Sequence, residues 1–269
     1  MELLKIVRRR SFRSEVVYTL LNVALALAVV LVIRATDSPL PAIGLELLSK
    51  WRVLAVRPRY WFVNLQANLV DFIVSLSLVA FLYNANVSAS DPTQKLIIMG
   101  LLTAAYIGWL LFLKPRSKRA YVVAQAGVAL FSGVAALFML SYALPASITV
   151  LLIWLIGYAT ARHTLSTYEE SHILFLSLVW GVFLAELGWL AYHWTVAYTP
   201  LGIDGVIFPR VALTVLLIGF VAFKAYDSFY HHQKIRTNDV LLPILFTVSI
   251  IIILPLVLNL LGANVTIGL

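Results

Sequence analysis

Leu96-Ile-Ile-Met-Gly-Leu-Leu-Thr-Ala-Ala-Tyr-Ile-Gly-Trp-Leu-Leu-Phe-Leu-Lys114-Pro-Arg-Ser-Lys-Arg119-Ala-Tyr-Val-Val-Ala-Gln-Ala-Gly-Val-Ala-Leu-Phe-Ser-Gly-Val-Ala-Ala-Leu-Phe-Met-Leu-Ser141 is two apolar runs joined by one basic patch. Residues 96–113 and 120–141 carry no charged side chain. Each is close to the ~20 apolar residues that a helix needs to cross a hydrocarbon core. Between them, Pro115 breaks the helix and four basic residues crowd together. The same alternation runs along the whole chain. Seventeen of its 20 Lys and Arg residues fall at Lys5–Arg13, Lys50–Arg59, Lys114–Arg119, Arg162 and Lys224–Arg236, with apolar stretches between. This pattern predicts an all-α polytopic membrane bundle.

Composition agrees. Of 269 residues, 62% are hydrophobic and 12% charged, and the mean hydropathy is +0.95. A soluble domain would be roughly a quarter charged. A net charge of +8 would suggest nucleic acid in a soluble protein. Here it reads as the Lys/Arg excess of one membrane face, which favours a bilayer with anionic headgroups and not nucleic acid. The chain has no Cys, so disulfides, thiolate metal sites and a Cys nucleophile are excluded.

Eight spans are predicted, at about 16–34, 62–83, 96–113, 120–141, 146–162, 171–194, 209–226 and 239–261. Residues 1–15 read as a basic amphipathic segment on the cytoplasmic surface, 16–262 as the bundle, and 263–269 as a short extracytoplasmic tail. Val16–Ile33 is too long for the apolar core of a signal peptide, so the first span is read as uncleaved. With Lys50–Arg59 inside, every later loop alternates so that the basic clusters stay inside. For the N-terminal cluster to be inside as well, residues 16–49 must cross twice. The candidate second crossing is Pro39–Val56, short and containing Glu46, with Lys50 and Arg52 snorkelling toward the inner interface. A re-entrant or surface helix is the alternative. The implied location is a bacterial inner (plasma) membrane, multi-pass, with the N-terminus cytoplasmic.

Two ionisable residues inside spans are functional candidates, because charge in lipid is costly. Asp71 shares a helix face with Asn64 and Asn68 (i, i+4, i+7), and that face must meet another helix or a cavity. It predicts either helix-fixing hydrogen bonds or an ion or proton site. Glu186 shares a face with Trp189 and His193, and Arg210 is its nearest basic residue in sequence. With Tyr198 and Asp204 from the intervening apolar loop, these residues predict one outward-facing cleft. A structural Glu–Arg pair within an aromatic belt is the alternative. His163, Glu169, Glu170 and His172, and the His231–His232 pair, match no metal-ligand spacing, and no metal or cofactor is expected. Paired Glu169–Glu170 followed by Trp189-x-x-x-His193 looks like elements of intramembrane prenyl-protein proteases, but Ile173 stands where that family has Arg.

The stretch Glu186-Leu-Gly-Trp-Leu-Ala-Tyr-His-Trp194, followed by a Pro-containing loop and another span, resembles uncharacterised multi-span membrane proteins of small-genome candidate-phyla bacteria. The resemblance covers some 40 residues. It implies bacterial origin and no particular activity. Residues therefore point first to binding or transport of a small or lipid-like ligand through the outward cleft. A membrane scaffold, as part of an envelope complex or homo-oligomer, is the next reading. An intramembrane enzyme comes last, since no nucleophile or metal set can be located. The charge pattern makes one direct prediction. An impermeant label should fail to reach residues 114–119 in intact cells and should reach them once the membrane is opened; labelling of intact cells would invert the topology.

Overall fold

In lipid a backbone must satisfy its own N–H and C=O groups, and this chain does so as nine helices among the described residues. The computed structural model describes residues 12–194, 196–199, 208–260 and 264–267. The helices are α1 (Phe12–Thr36), α2 (Pro39–Ser49), α3 (Trp61–Ser88), α4 (Pro92–Gly108), α5 (Arg119–Leu140), α6 (Ala146–Leu165), α7 (Ile173–His193), α8 (Arg210–His232) and α9 (Thr237–Leu260). All but α2 are long and apolar enough to cross a membrane.

Local chemistry sets their ends. Asp37 takes a left-handed φ of 48° just past α1, and its N–H reaches Ile33 O at 2.9 Å. Asp is one of the few non-glycine residues that tolerates this conformation. Ser38 then caps α2 with Pro39 at its first position. Asp91 caps α4 by accepting the N–H groups of Thr93 and Gln94, again ahead of a proline. α4 runs on through a wide π turn, Trp109–Leu113, before Lys114. Pro145 and Pro209 immediately precede α6 and α8. α9 begins at Thr237, and Asp239 in its first turn accepts the Ser228 hydroxyl at 2.6 Å.

Residues 37–60 run antiparallel to α3 along its whole length. Asn86, near the far end of α3, donates to Asp37 at 2.7 Å. Lys50 sits against Asp71, fifteen residues back along α3, a rise of about 22 Å. Asn64 then holds Val53 O at 3.1 Å, and Trp61 holds Val56 O at 2.9 Å. This segment is made of α2 and two 3-10 turns, Trp51–Val53 and Pro58–Tyr60. Lys50 does not snorkel to the interface as its sequence position suggests. It is 8% exposed and ion-paired.

Two apolar cores meet at α5. One joins α1–α4 around Ile33, Leu82, Met99 and Leu110; the other joins α5–α8 around Val134, Ile153, Leu184 and Val215. Neighbours on α5 divide between them, Ala129 in the first and Leu130 in the second. The basic clusters at residues 50–59, 114–119, 162 and 224–236 share one end of the bundle. Gln125 Nε2 holds the carbonyls of Leu113 and Arg116, and Arg119 pairs with Asp227 near the end of α8.

The opposite end carries a feature the all-α pattern does not foresee. Short strands β1 (Val196–Thr199), β2 (Phe208–Pro209) and β3 (Asn264–Ile267) form an antiparallel sheet in the order β2-β1-β3. Residues 264–267, expected to be a short tail, lie along the connection between α7 and α8. Backbone groups that leave a helix still need partners, and a strand pair supplies them.

α6 and α7 form the closest helix pair, and glycine makes it possible. A Cβ on Gly188 would lie 2.5 Å from Ile153 Cγ2, and one on Gly157 would lie 3.2 Å from Gly181 Cα. Without a hydrophobic drive between helices in lipid, such close packing carries the association. Gly188→Val should lower stability by about 1–3 kcal/mol, the range for forced overpacking. Gly44→Ala, with nothing within 4 Å of the new methyl, should be neutral or slightly stabilising. Thermal unfolding in detergent compares the two.

Candidate functional site

The densest polar site lies where α2, α3 and α4 meet, toward the basic end. Lys50 Nζ is 2.6 Å from Asp71 Oδ2 and 3.8 Å from Glu46 Oε2. Lys114 Nζ reaches the same Asp71 oxygen at 2.9 Å. Tyr106 donates its hydroxyl to Glu46 Oε1 at 2.9 Å, and the Trp109 indole N–H points at Asp71 Oδ1 from 3.5 Å. Two carboxylates and two ammonium groups make the cluster formally neutral. Glu46 is fully buried, and its Oε2 has no hydrogen-bond partner. Lys114, 35% exposed, is the one charged member that opens outward.

Helix geometry explains the meeting. Glu46 and Lys50 lie four residues apart on one face of α2. The π turn carries Trp109 and Lys114 round to the α3 side of α4. The three polar residues picked out on α3 have separate tasks. Asp71 holds the ion pairs, Asn64 holds the turn at Val53, and Asn68 bonds back to Asn64 O at 2.8 Å. Tyr106, Trp109 and Gln125 carry no signal in the sequence, because a single polar atom in an apolar run does not reveal its partner. Gln125 also meets His163 at 2.8 Å and so ties α5 to α6.

Of the residues expected to form an outward cleft, Trp189 and His193 meet, while Glu186 and Arg210 make no hydrogen bond or ion pair with one another. Glu186 lies on an exposed face of α7, with no hydrogen bond or ion pair to any described residue. Trp189, 52% exposed, stacks edge-on with His193 at 4.9 Å. Arg210 turns instead toward α9 and donates to Ile251 O at 3.3 Å. That carbonyl is free because Pro255, four residues on, has no N–H to give it. Of the loop residues, Asp204 lies outside the described residues, and Tyr198 is described only as part of β1, paired in register with Phe208 and Val265.

Among the described residues, a cleft lies toward the basic end. About 350 Å³ opens between α7 and α8, with α5 and α6 behind it; Ala126, Gly127, Ala161, Trp180, Gly219 and Phe223 are among its walls. It exists because α7 packs on α6 and α8 packs on α5, while α7 and α8 barely touch. Its hydroxyl side chains are already engaged, and the Trp180 indole N–H has no hydrogen-bond partner among the described residues. Thr160 and Thr164 donate to carbonyls of their own helix, and Tyr226 donates to Glu170 Oε2 at 2.6 Å.

That last bond bridges the α6–α7 connection to α8 beside the cleft. Hydrogen bonds from Tyr226 and from the His172 N–H hold the Glu170 carboxyl below its usual range. Next to it, Tyr168 donates to Asp227 at 3.1 Å under the Arg119 guanidinium, which stacks 3.8 Å from the Tyr168 ring. Burial raises the Tyr168 phenol to about 12, so it stays a neutral donor. No group of three His, Asp or Glu among the described residues is placed to hold a metal.

Helices, ion cluster and lateral cleft together define a polytopic helical membrane protein. No family model, curated protein or solved structure matches the chain.

The ion cluster makes a prediction. Asp71→Ala would leave the Lys50 ammonium buried without its closest anion, a change that costs about 3–5 kcal/mol when one partner of a buried pair is removed. Combining it with Lys50→Met should recover most of that loss. Unfolding of the three proteins in detergent measures the difference.

Proposed function

We propose that this integral membrane protein binds a lipid-like molecule by holding one hydrocarbon chain in the cleft between α7 and α8. The observation that carries this reading is a cleft of about 350 Å³ with mostly apolar walls, whose threonine and tyrosine hydroxyls are already engaged. Sites for small ligands run to ~300–1,000 Å³ and normally combine apolar walls with a few free polar groups. Here the walls are mostly apolar and the Trp180 indole N–H is the one side-chain donor without a hydrogen-bond partner among the described residues, which suits a hydrocarbon chain more than a polar ligand. Access supports the same occupant. The gap lies between two membrane-length helices, so it faces acyl chains, while the Tyr226–Glu170 bond ties its basic end. The basic clusters favour the cytoplasmic leaflet for that end, with the N-terminus cytoplasmic and a bacterial plasma membrane as the setting.

Ala161 and Ala222 line the cleft and are partly exposed, so a larger side chain at either has room to occupy it. Native mass spectrometry of the purified protein should show a retained lipid. Ala222→Phe and Ala161→Phe should each lose it while keeping the melting temperature within a few degrees. Equal lipid retention in folded variants would reject the cleft as the binding site.

A further inference from the structure

Two opposite charges sit on the exposed surface of the bundle, both in the half away from the basic clusters. Glu186 is seven residues before the end of α7, about 10 Å from that end at 1.5 Å per residue. Arg210 begins α8, and its guanidinium reaches to Ile251 O on α9, about one helical turn inward, since Thr247, four residues before Ile251, meets Leu217, seven residues beyond Arg210. Both residues are exposed. Glu186 has no partner among the described residues, and it is surrounded on its face by exposed Val182, Phe183, Trp189 and Leu190. Arg210 has five N–H donors, and its described side-chain contact is one carbonyl at 3.3 Å.

A carboxylate on a lipid-facing surface is costly, and so is a guanidinium with most of its donors unused. Each would be satisfied by the other. Within one chain they are held apart, Glu186 on α7 and Arg210 turned to the α9 side of α8. Two copies related by a two-fold axis would present each group to the other twice, because such an interface is self-complementary.

We propose that two copies of this chain pair through their α7 and α8–α9 faces, with Glu186 of each copy bound to Arg210 of the other. The reading is independent of the lipid cleft. It explains why Arg210, at a helix N-terminus where a cation is disfavoured by the dipole, is steered into the membrane: the carbonyl freed by Pro255 holds one side of the guanidinium and leaves the other side open to an anion.

The native chain has no Cys, which makes a clean test possible. Two differently tagged full-length chains, one Glu186→Cys and the other Arg210→Cys, are co-expressed and oxidised in native membranes. A disulfide-linked pair carrying both tags is expected, with none when Lys95→Cys replaces Arg210→Cys. Absence of the mixed pair with both chains present in the membrane would overturn the proposal. So would an intrachain bond, without linked pairs, in a single chain carrying both cysteines. Charge reversal gives a second measurement. Glu186→Arg or Arg210→Glu alone should abolish dimers seen by mass photometry in lipid nanodiscs, and the two together in one chain should restore them. Monomeric wild-type protein that loses bound phospholipid on Arg210→Gln would also overturn the proposal, assigning the guanidinium to a headgroup.

Discussion

The Lys50–Asp71 ion pair is the contact on which the first half of the bundle depends. α2 has eleven residues, about 16 Å of helix, against a hydrocarbon core of ~30 Å. It cannot cross by length alone, and Glu46 and Lys50 make it a poor lipid-facing segment. Asp71 resolves both difficulties. It fixes the end of α2 at a set level along α3 and neutralises the ammonium there. The remaining distance is covered by short turns held by Asn64 and Trp61. Lys114 joins the same carboxylate from the end of α4, so one acid sets the relative positions of three elements.

That arrangement separates the structural and the receptive parts of the molecule. Polar groups in the α1–α4 half are mutually engaged, with Glu46 Oε2 the orphan among the buried side-chain oxygens of that half. The α5–α8 half is held differently, by glycine-mediated contact of α6 with α7 and by α8 lying on α5. Packing in two pairs leaves the cleft. Its walls are apolar because the threonines along it satisfy carbonyls of their own helix, and its basic end is tied by charged and phenolic groups that belong in a headgroup layer.

α9 shows how one backbone defect organises a surface. Pro255 frees the Ile251 carbonyl, and Arg210 from the neighbouring helix takes it. A helix-interrupting proline and a charged residue that each look unfavourable alone compensate one another.

Periodic hydrophobicity and the positions of Lys and Arg determined the class of this protein and its eight long helices. Those properties follow from transfer of residues between water and lipid, which each stretch of chain settles locally. Asp71 was legible as an intramembrane acid for the same reason. Its partners were not, since a lysine 21 residues earlier and another 43 residues later are joined to it only by helix packing. Nor could the sequence separate Glu186 from Arg210, which stand close along the chain: which way a side chain faces depends on which neighbours its helix chooses. The position of the cleft, the pairing of the C-terminal strand and the burial of Glu46 were decided by tertiary structure alone, because each arises from contacts between segments whose local chemistry is the same in many other arrangements.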